Sequence, residues 1–322
     1  MKCVITGAAG FIGSHLCERL IHRGHEVIGI DSFVPYYSPE LKKQNVQWLK
    51  QHPRFVLHEH DLRFDPVHDL IKHADVIVHL AAMPGLTASW SRFDDYMTCN
   101  VQATQRLLEA VKDTQVRLQR FLLGSTSSVY GKYASGDETS PAKPFSPYGV
   151  TKLAAEHLAH SYAENHGLPL VTLRFFSVYG PRQRPDMGYN KFINALLTNT
   201  PITLFGDGKQ VRGNTYIHDC VAAIEASMQA PVHETFNIGG GEMANVWDIL
   251  GLLEKISQRK AIVQKAEARA GDQRYTMADT SRLSRATGWV PQTPLEEGLT
   301  QQFLWQQRIH ELQTKTLPRR AA

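Results

Sequence analysis

Cys3-Val4-Ile5-Thr6-Gly7-Ala8-Ala9-Gly10-Phe11-Ile12-Gly13-Ser14-His15 opens the chain and decides its fold. A short apolar run ends at a glycine, and apolar residues then return at helical spacing as Leu16, Leu20 and Ile21. Glu26-Val27-Ile28-Gly29-Ile30 follows as a second apolar run and stops at Asp31. Strand, glycine loop, helix, strand and acid within about 30 residues is the pattern of a dinucleotide site. Gly7 permits the tight turn, Gly10 lets the backbone approach a pyrophosphate, and Gly13 lets helix and strand pack closely. Phe11 and Ile12 complete the loop, and the free N–H groups of the helix start favour phosphate. Asp31 can accept both ribose hydroxyls. Ser32-Phe33 offers no cation for a 2′-phosphate, so the expected cofactor is NAD.

The same reading extends outward. Phe55-Val56-Leu57-His58 is a third strand, with Asp61 and Leu62 just past its end. Asp61 is placed to meet the adenine amino group, or else to cap the next helix. Lys42, Lys43 and Asn45 could reach the adenosine side or simply begin a solvated helix. The fourth strand, residues 75–80, runs into Ala81 and Ala82. With Leu80, these small residues let a flat cofactor lie on the backbone. The remaining expectations are helices over 94–112 and from Ser146 to about Asn165, strands at 121–124 and 170–176, and later helices at 190–199, 219–229 and 245–258.

The apolar run Phe121-Leu122-Leu123-Gly124 delivers four hydroxyls in succession, Ser125 to Ser128. In an open parallel sheet ligands sit outside the carboxyl ends of strands. Tyr148 and Lys152 are i and i+4 on one helix and share a face. A nearby ammonium favours the phenolate, and such a tyrosine can take the proton of a secondary alcohol while hydride leaves. Thr126 can hold the reacting oxygen.

Composition bounds the alternatives. The chain has 322 residues, a formal net charge of +4 and scattered rather than clustered basic residues, so a nucleic-acid partner is not expected. No run of 18 apolar residues and no signal-peptide pattern is present, so neither a membrane span nor export is expected. Cys3, Cys17, Cys99 and Cys220 form no CxxC pair and read as reduced thiols of a cytoplasmic protein; no metal is invoked. The fold expected is α/β. A doubly wound parallel sheet covers 1–175, with 215–238 returning to it. A smaller mixed α/β lobe, interleaved from 176–214 and 239–322, binds substrate.

Taken together, the motifs resemble the extended short-chain dehydrogenase/reductases, in their nucleotide-sugar epimerase and dehydratase branch. The resemblance rests on Thr6 to His15, His79-Leu80-Ala81-Ala82, Ser125 to Gly131, Tyr148 with Lys152, Arg174 to Pro181, and Phe205-Gly206-Asp207-Gly208. Arg184-Pro185-Asp186-Met187 is most similar to the UDP-glucuronate 4-epimerases. The resemblance implies a tightly held NAD, a UDP-sugar in the smaller lobe and a homodimer. Helices 94–112 and 148–165 could pair with their copies in a four-helix bundle, or Leu153, Leu158 and Tyr162 could equally belong to the chain's own core. It also implies that Arg212 contacts the pyrophosphate, that Arg269 and Asp272 serve the diphosphate and ribose, and that uracil packs near Leu204 and Phe205.

Family members that dehydrate or decarboxylate place an acid two residues before the tyrosine of Val129-Tyr130-Gly131; here that residue is Ser128, preceded by Ser127. Without an acid, rotation of the 4-keto sugar and hydride return gives 4-epimerisation. For glucuronate, Ser127, Ser128, Ser177 and Arg184 are expected to hold the carboxylate. Gly85-Leu86-Thr87, Arg212-Gly213-Asn214 and Ser177 depart from the glucuronate epimerases' usual motifs and leave the sugar open. A UDP-glucose or UDP-N-acetylhexosamine epimerase, a decarboxylase and a catalytically silent NAD-sensing scaffold are the alternatives.

Overall fold

The computed structural model describes residues 1–267 and 273–316. Seven strands form one parallel sheet. From one edge to the other they are Glu234–Ile238, Leu170–Phe175, Arg120–Thr126, Val76–His79, Lys2–Thr6, Glu26–Ile30 and Phe55–His58. Order reverses on either side of Lys2–Thr6, the switch point of a doubly wound sheet. Strands covered on both faces read as continuous apolar runs rather than alternating ones, and Val76–His79 is buried at every residue. Helix Phe11–His22 packs one face beside helix Ile217–Ser227, where Arg19 pairs with Glu225 at 2.5 Å. Helices Ala103–Thr114 and Pro147–His166 cover the other, burying Leu107, Leu108, Ala159 and Ala163.

The smaller lobe is built from segments far apart in sequence. Val211–Tyr216 pairs with Met243–Asn245 antiparallel and with Tyr275–Ala278 and Ser177–Tyr179 in parallel. Tyr133–Gly136 joins this sheet through Tyr275–Ala278, although the sequence reading left it inside 1–175. The cause is local: Gly131, at φ +97°, turns the chain away from the main sheet after Tyr130. Ile202–Phe205 pairs separately with Val263–Ala266.

Two elements differ from expectation. The helix read over 94–112 is α at Phe93–Tyr96, π at Met97–Gln102 and α again at Ala103–Thr114. A π turn inserts an extra residue. Here it brings Asn100 inward, where its Oδ1 accepts from Met83 N at 2.6 Å and its Nδ2 donates to Thr151 Oγ1 at 3.0 Å. The long helix Leu295–Thr316 was not anticipated. Its inward stripe mixes Leu295, Leu299 and Phe303 with Gln302 and Gln306, so its apolar period is weak. Those glutamines work as hydrogen-bonding posts, Gln302 holding Gly180 N at 2.8 Å and Gln306 donating to Asn190 O at 2.8 Å.

Candidate active site

Carboxyl ends of six sheet strands open onto one cavity, which runs along the sheet from Leu62 to Phe176. At its centre the turn after Lys2–Thr6 is held by hydrogen bonds from Gly7 N and Ala8 N to Ile30 O, at 2.8 and 3.2 Å. Gly7 has φ +71°. A Cβ on Gly13 would stand 2.1 Å from Gly7 O, so only glycine lets the helix start this close. No side chain caps that start, and its first turn carries no acid. The free N–H groups therefore remain for an anion. Gly7, Gly10, Phe11, Ile12 and Gly13 all line the cavity.

On one side of this turn lie Asp31, Ser32, Asp61 and Leu62. Asp31 accepts from Ala9 N at 3.1 Å and Phe33 N at 2.8 Å, and Lys42 Nζ stands 3.6 Å away. Asp61 is gripped by Arg63, with contacts of 2.6 to 3.2 Å that hold its carboxyl below the usual carboxylate range. Lys43 does not reach the cavity: it is exposed and pairs with Glu40 at 2.8 Å. The helix from Pro39 turns Lys42 inward, its ammonium 5.5 Å from the Tyr37 ring, and Lys43, the next residue, outward. Asn45 is buried but is not a wall residue; its Nδ2 donates to Ala9 O at 3.1 Å and braces the glycine loop. Tyr37 Oη and His60 Nδ1 are buried here without a hydrogen-bond partner. Both residues line the cavity, and a bound polar group would satisfy them.

On the other side stand Leu80, Ala81, Ala82, Thr126, Tyr148, Lys152 and Arg184. Ser146 caps the helix, its Oγ accepting from Gly149 N at 3.2 Å, which fixes Tyr148 in the first turn. Burial raises the Tyr148 phenol, while a hydrogen bond with Thr126 and the charge of Arg184 pull it back. Burial drives the Lys152 ammonium down to about 8, against the opposing pull of Glu156. Tyr96 stands edge-on to Tyr148 at 6.1 Å between ring centres and donates to Pro84 O at 2.6 Å. The guanidinium of Arg184 grips Asp186 at 2.9 and 3.0 Å, and Tyr36 Oη donates to Asp186 at 3.3 Å.

The remaining expected residues lie off this cavity wall. Ser127 and Ser128 are buried in the short turn Ser127–Tyr130, where Ser128 N donates to Thr126 Oγ1 at 3.2 Å. Ser177 belongs to a strand paired with Asn214, and Arg212 lies on that same neighbour strand. Leu204 is a buried residue of the strand Ile202–Phe205, and Phe205 ends that strand. Arg269 and Asp272 fall outside the described residues. Lining residues that the sequence reading passed over include Tyr36, Tyr37, His60, Arg63, Met83 and Met187. Tyr36 and Tyr37 sit in an aromatic loop after the Asp31 strand, the one signal that pointed to them.

The NAD dependent epimerase/dehydratase family profile matches residues 3–239. An uncharacterised UDP-glucose epimerase of Bacillus subtilis (strain 168), YtcB, is 45% identical over 316 residues, covering 97% of this chain and 99% of its own. A UDP-glucuronate 4-epimerase of Thermodesulfobacterium geofontis (strain OPF15) is 33% identical over 315 residues, covering 96% and 97%. The crystal structure of a UDP-glucuronic acid 4-epimerase from Bacillus cereus, in complex with UDP-glucuronic acid and NAD, superposes with a TM-score of 0.93. It is 42% identical and covers 96% of this chain and 100% of its own.

Proposed function

The chain belongs to the NAD dependent epimerase/dehydratase family, and from that premise we propose that it inverts C4 of a UDP-sugar, interconverting UDP-glucuronate and UDP-galacturonate. The residues present fit NAD. Gly7, Gly10 and Gly13 form a cradle that a Cβ at Gly13 would close, and orphaned polar atoms of Tyr37 and His60 face the Asp31 end. Asp31 presents a carboxylate where a 2′-phosphate would be repelled. When bound, NAD supplies the hydride acceptor and donor at C4.

Tyr148 takes the proton of the C4 hydroxyl as the ketone forms and returns it to the oxygen after the sugar has turned over. Lys152, buried one turn along the helix, stabilises the phenolate. Thr126 holds the oxygen in line. The observation that carries epimerisation over elimination is where the carboxylates stand. Of the lining residues, the acids are Asp31 and Asp61. They follow strands three and four places from the Thr126 strand, roughly 14 and 19 Å at about 4.8 Å per strand. Neither can serve C5 or C6 of a sugar held at Tyr148, and Asp186, the carboxylate beside Arg184, is off the wall and taken up by that guanidinium and the Tyr36 hydroxyl.

For glucuronate, Arg184 holds the carboxylate, and Ser127, Ser128 and Ser177 support it from behind the wall. This keeps the C5–carboxylate bond out of alignment with the ketone and so prevents loss of CO₂. A guanidinium fork suits the planar group. Arg212, Arg269 and Asp272 hold the diphosphate and ribose, with uracil at Leu204 and Phe205. UDP-glucose is the second reading, because Asp186 already neutralises Arg184 and so lowers the selection for an acid.

The test is incubation with UDP-glucuronate followed by NMR: UDP-galacturonate supports the reading, a UDP-pentose or no change overturns it, and parallel UDP-glucose tests the second. Arg184→Ala is expected to release pentose. If that variant turns over UDP-glucuronate normally without pentose, the role of Arg184 is wrong.

The protein acts as a homodimer in this reading, through helices 93–114 and 147–166. Phe93, Met97 and Val150 are exposed there, whereas Leu158 and Tyr162 pack into the chain's own core. No described helix is long and apolar enough to cross a membrane. We place the enzyme in the cytoplasm, where its four free thiols stay reduced.

A further inference from the structure

One turn beyond Lys152, the same helix carries Glu156, 2% exposed. Ser125, which lines the cavity beside Thr126, donates its hydroxyl to Glu156 Oε1. Arg174, from the adjacent strand Leu170–Phe175, forks onto the same carboxylate, Nη2 at 2.8 Å and Nε at 3.1 Å. Arg174 also donates to Tyr130 Oη at 2.9 Å, and Tyr130 donates to Asn237 Oδ1 at 2.7 Å. A removed partner in such a cluster leaves a buried charge uncompensated. None of these groups contacts the proton that Tyr148 moves.

Lys152 has few charged neighbours. On its own helix stand Tyr148 and Glu156. From strand Val76–His79 comes His79, which burial keeps neutral down to about 3 and whose ring lies between Thr6 and Thr104 hydroxyls at 2.7 and 2.9 Å. From the strand Leu170–Phe175 comes Arg174, and Arg184 acts on Tyr148 from the loop that follows Pro181. Strand Arg120–Thr126 contributes only hydroxyls, Ser125 and Thr126. Glu156 is thus the one anion in this set; its carboxylate is forked by Arg174 and acts on Lys152 through its charge, from one turn along the helix.

We propose that Glu156 is a positioning residue that keeps Lys152 in its ammonium form, and that Arg174 and Ser125 set how much of the Glu156 charge Lys152 feels. This rests on the reading above only in giving Lys152 work to do, and it holds whichever sugar is turned over. Two variants then have opposite signs. Glu156→Gln removes the anion and leaves Arg174 unpaired, so Lys152 loses its proton more easily. Arg174→Gln removes the competing cation and leaves Glu156 facing Lys152, so Lys152 keeps its proton to higher pH.

The experiment is a pH titration of the Lys152 ammonium by NMR in the full-length protein, selectively labelled with 13C,15N-lysine and assigned with Lys152→Arg. It is recorded with and without added NAD. Relative to wild type, the midpoint is expected to fall by at least about one pH unit in Glu156→Gln and to rise in Arg174→Gln. The alkaline limb of kcat should move with it. Unchanged midpoints, or a shift of both variants in one direction, would overturn the proposal as general loosening of the site. Should Glu156→Gln fail to fold in a melting assay, the rise in Arg174→Gln alone decides. Failure of wild type to bind NAD or turn over any UDP-sugar would instead count against the function proposed, and leaves this titration readable.

Discussion

Gly13→Ala tests the core of the reasoning, because its cost is set by backbone. The added Cβ would stand 2.1 Å from Gly7 O, 2.9 Å from Gly7 C and 3.1 Å from Ala8 Cα. Ordinary contact begins near 3.4 Å, so helix and turn must separate by about 1.3 Å. No side chain can swing aside. Gly7 O also accepts from Gly10 N at 3.0 Å, and moving it strains that bond too. Overpacking of this kind costs about 1–3 kcal/mol. With an unfolding entropy of about 2.1 cal/mol/K per residue, 322 residues give roughly 0.7 kcal/mol/K, so Tm should fall by about 1.5–4.5 °C. The same displacement moves the helix start away from the phosphates. Losing two charge-assisted hydrogen bonds at about 1.5 kcal/mol each weakens NAD roughly a hundredfold. Gly10→Ala is the control. Its Cβ meets only Gly7 O, at 3.1 Å, and its φ of −74° and ψ of 177° suit alanine. It should leave Tm nearly unchanged. Differential scanning calorimetry and isothermal titration with NAD measure both. A Gly13→Ala protein with wild-type Tm and wild-type NAD affinity would refute the close-packing argument, as would a larger loss of Tm in Gly10→Ala.

Tyr148→Phe should slow turnover by about 10²–10⁴ while keeping bound NAD, since it removes only the proton acceptor; comparable turnover would exclude Tyr148 as the base. Arg212→Ala should raise KM for the UDP-sugar by roughly tenfold or more, the worth of one charged hydrogen bond, with NAD occupancy unchanged. Acid stability follows from His15 and His79, both held neutral by burial to about 3 from an ordinary 6.5. Above 6.5 they are neutral in both folded and unfolded chains. Below it the unfolded chain binds protons that the native chain refuses, so stability falls as pH drops from about 6.5 to 3, by about 1.4 kcal/mol per pH unit for each group. Urea unfolding at pH 7 and pH 5 should show a shallower dependence in His79→Gln; identical dependence would remove His79 from the account.

What could be read from the sequence was what nearest neighbours along the chain determine. The glycine loop is such a case, because Gly7, Gly10 and Gly13 meet one another within two turns of backbone. Tyr148 with Lys152 is another, since four residues of helix put both on one face. Side chains placed by phase alone were not legible. Lys42 and Lys43 differ by a rotation of about 100° on a seven-residue helix, and nothing local says which faces Asp31. Nor was the glutamine stripe of Leu295–Thr316, whose partners Gln183 and Asn190 lie more than 100 residues away. Arg184 shows the boundary most clearly. Its sequence context marks it as a cation for the substrate, yet its fork in the fold is filled by Asp186, two residues on, which Tyr36 of a distant loop also holds. On the function proposed, a substrate carboxylate at Arg184 would have to compete with this internal one. Selectivity for an acid sugar would then depend on how readily Asp186 yields Arg184, and so on the Tyr36 hydroxyl as much as on the arginine itself.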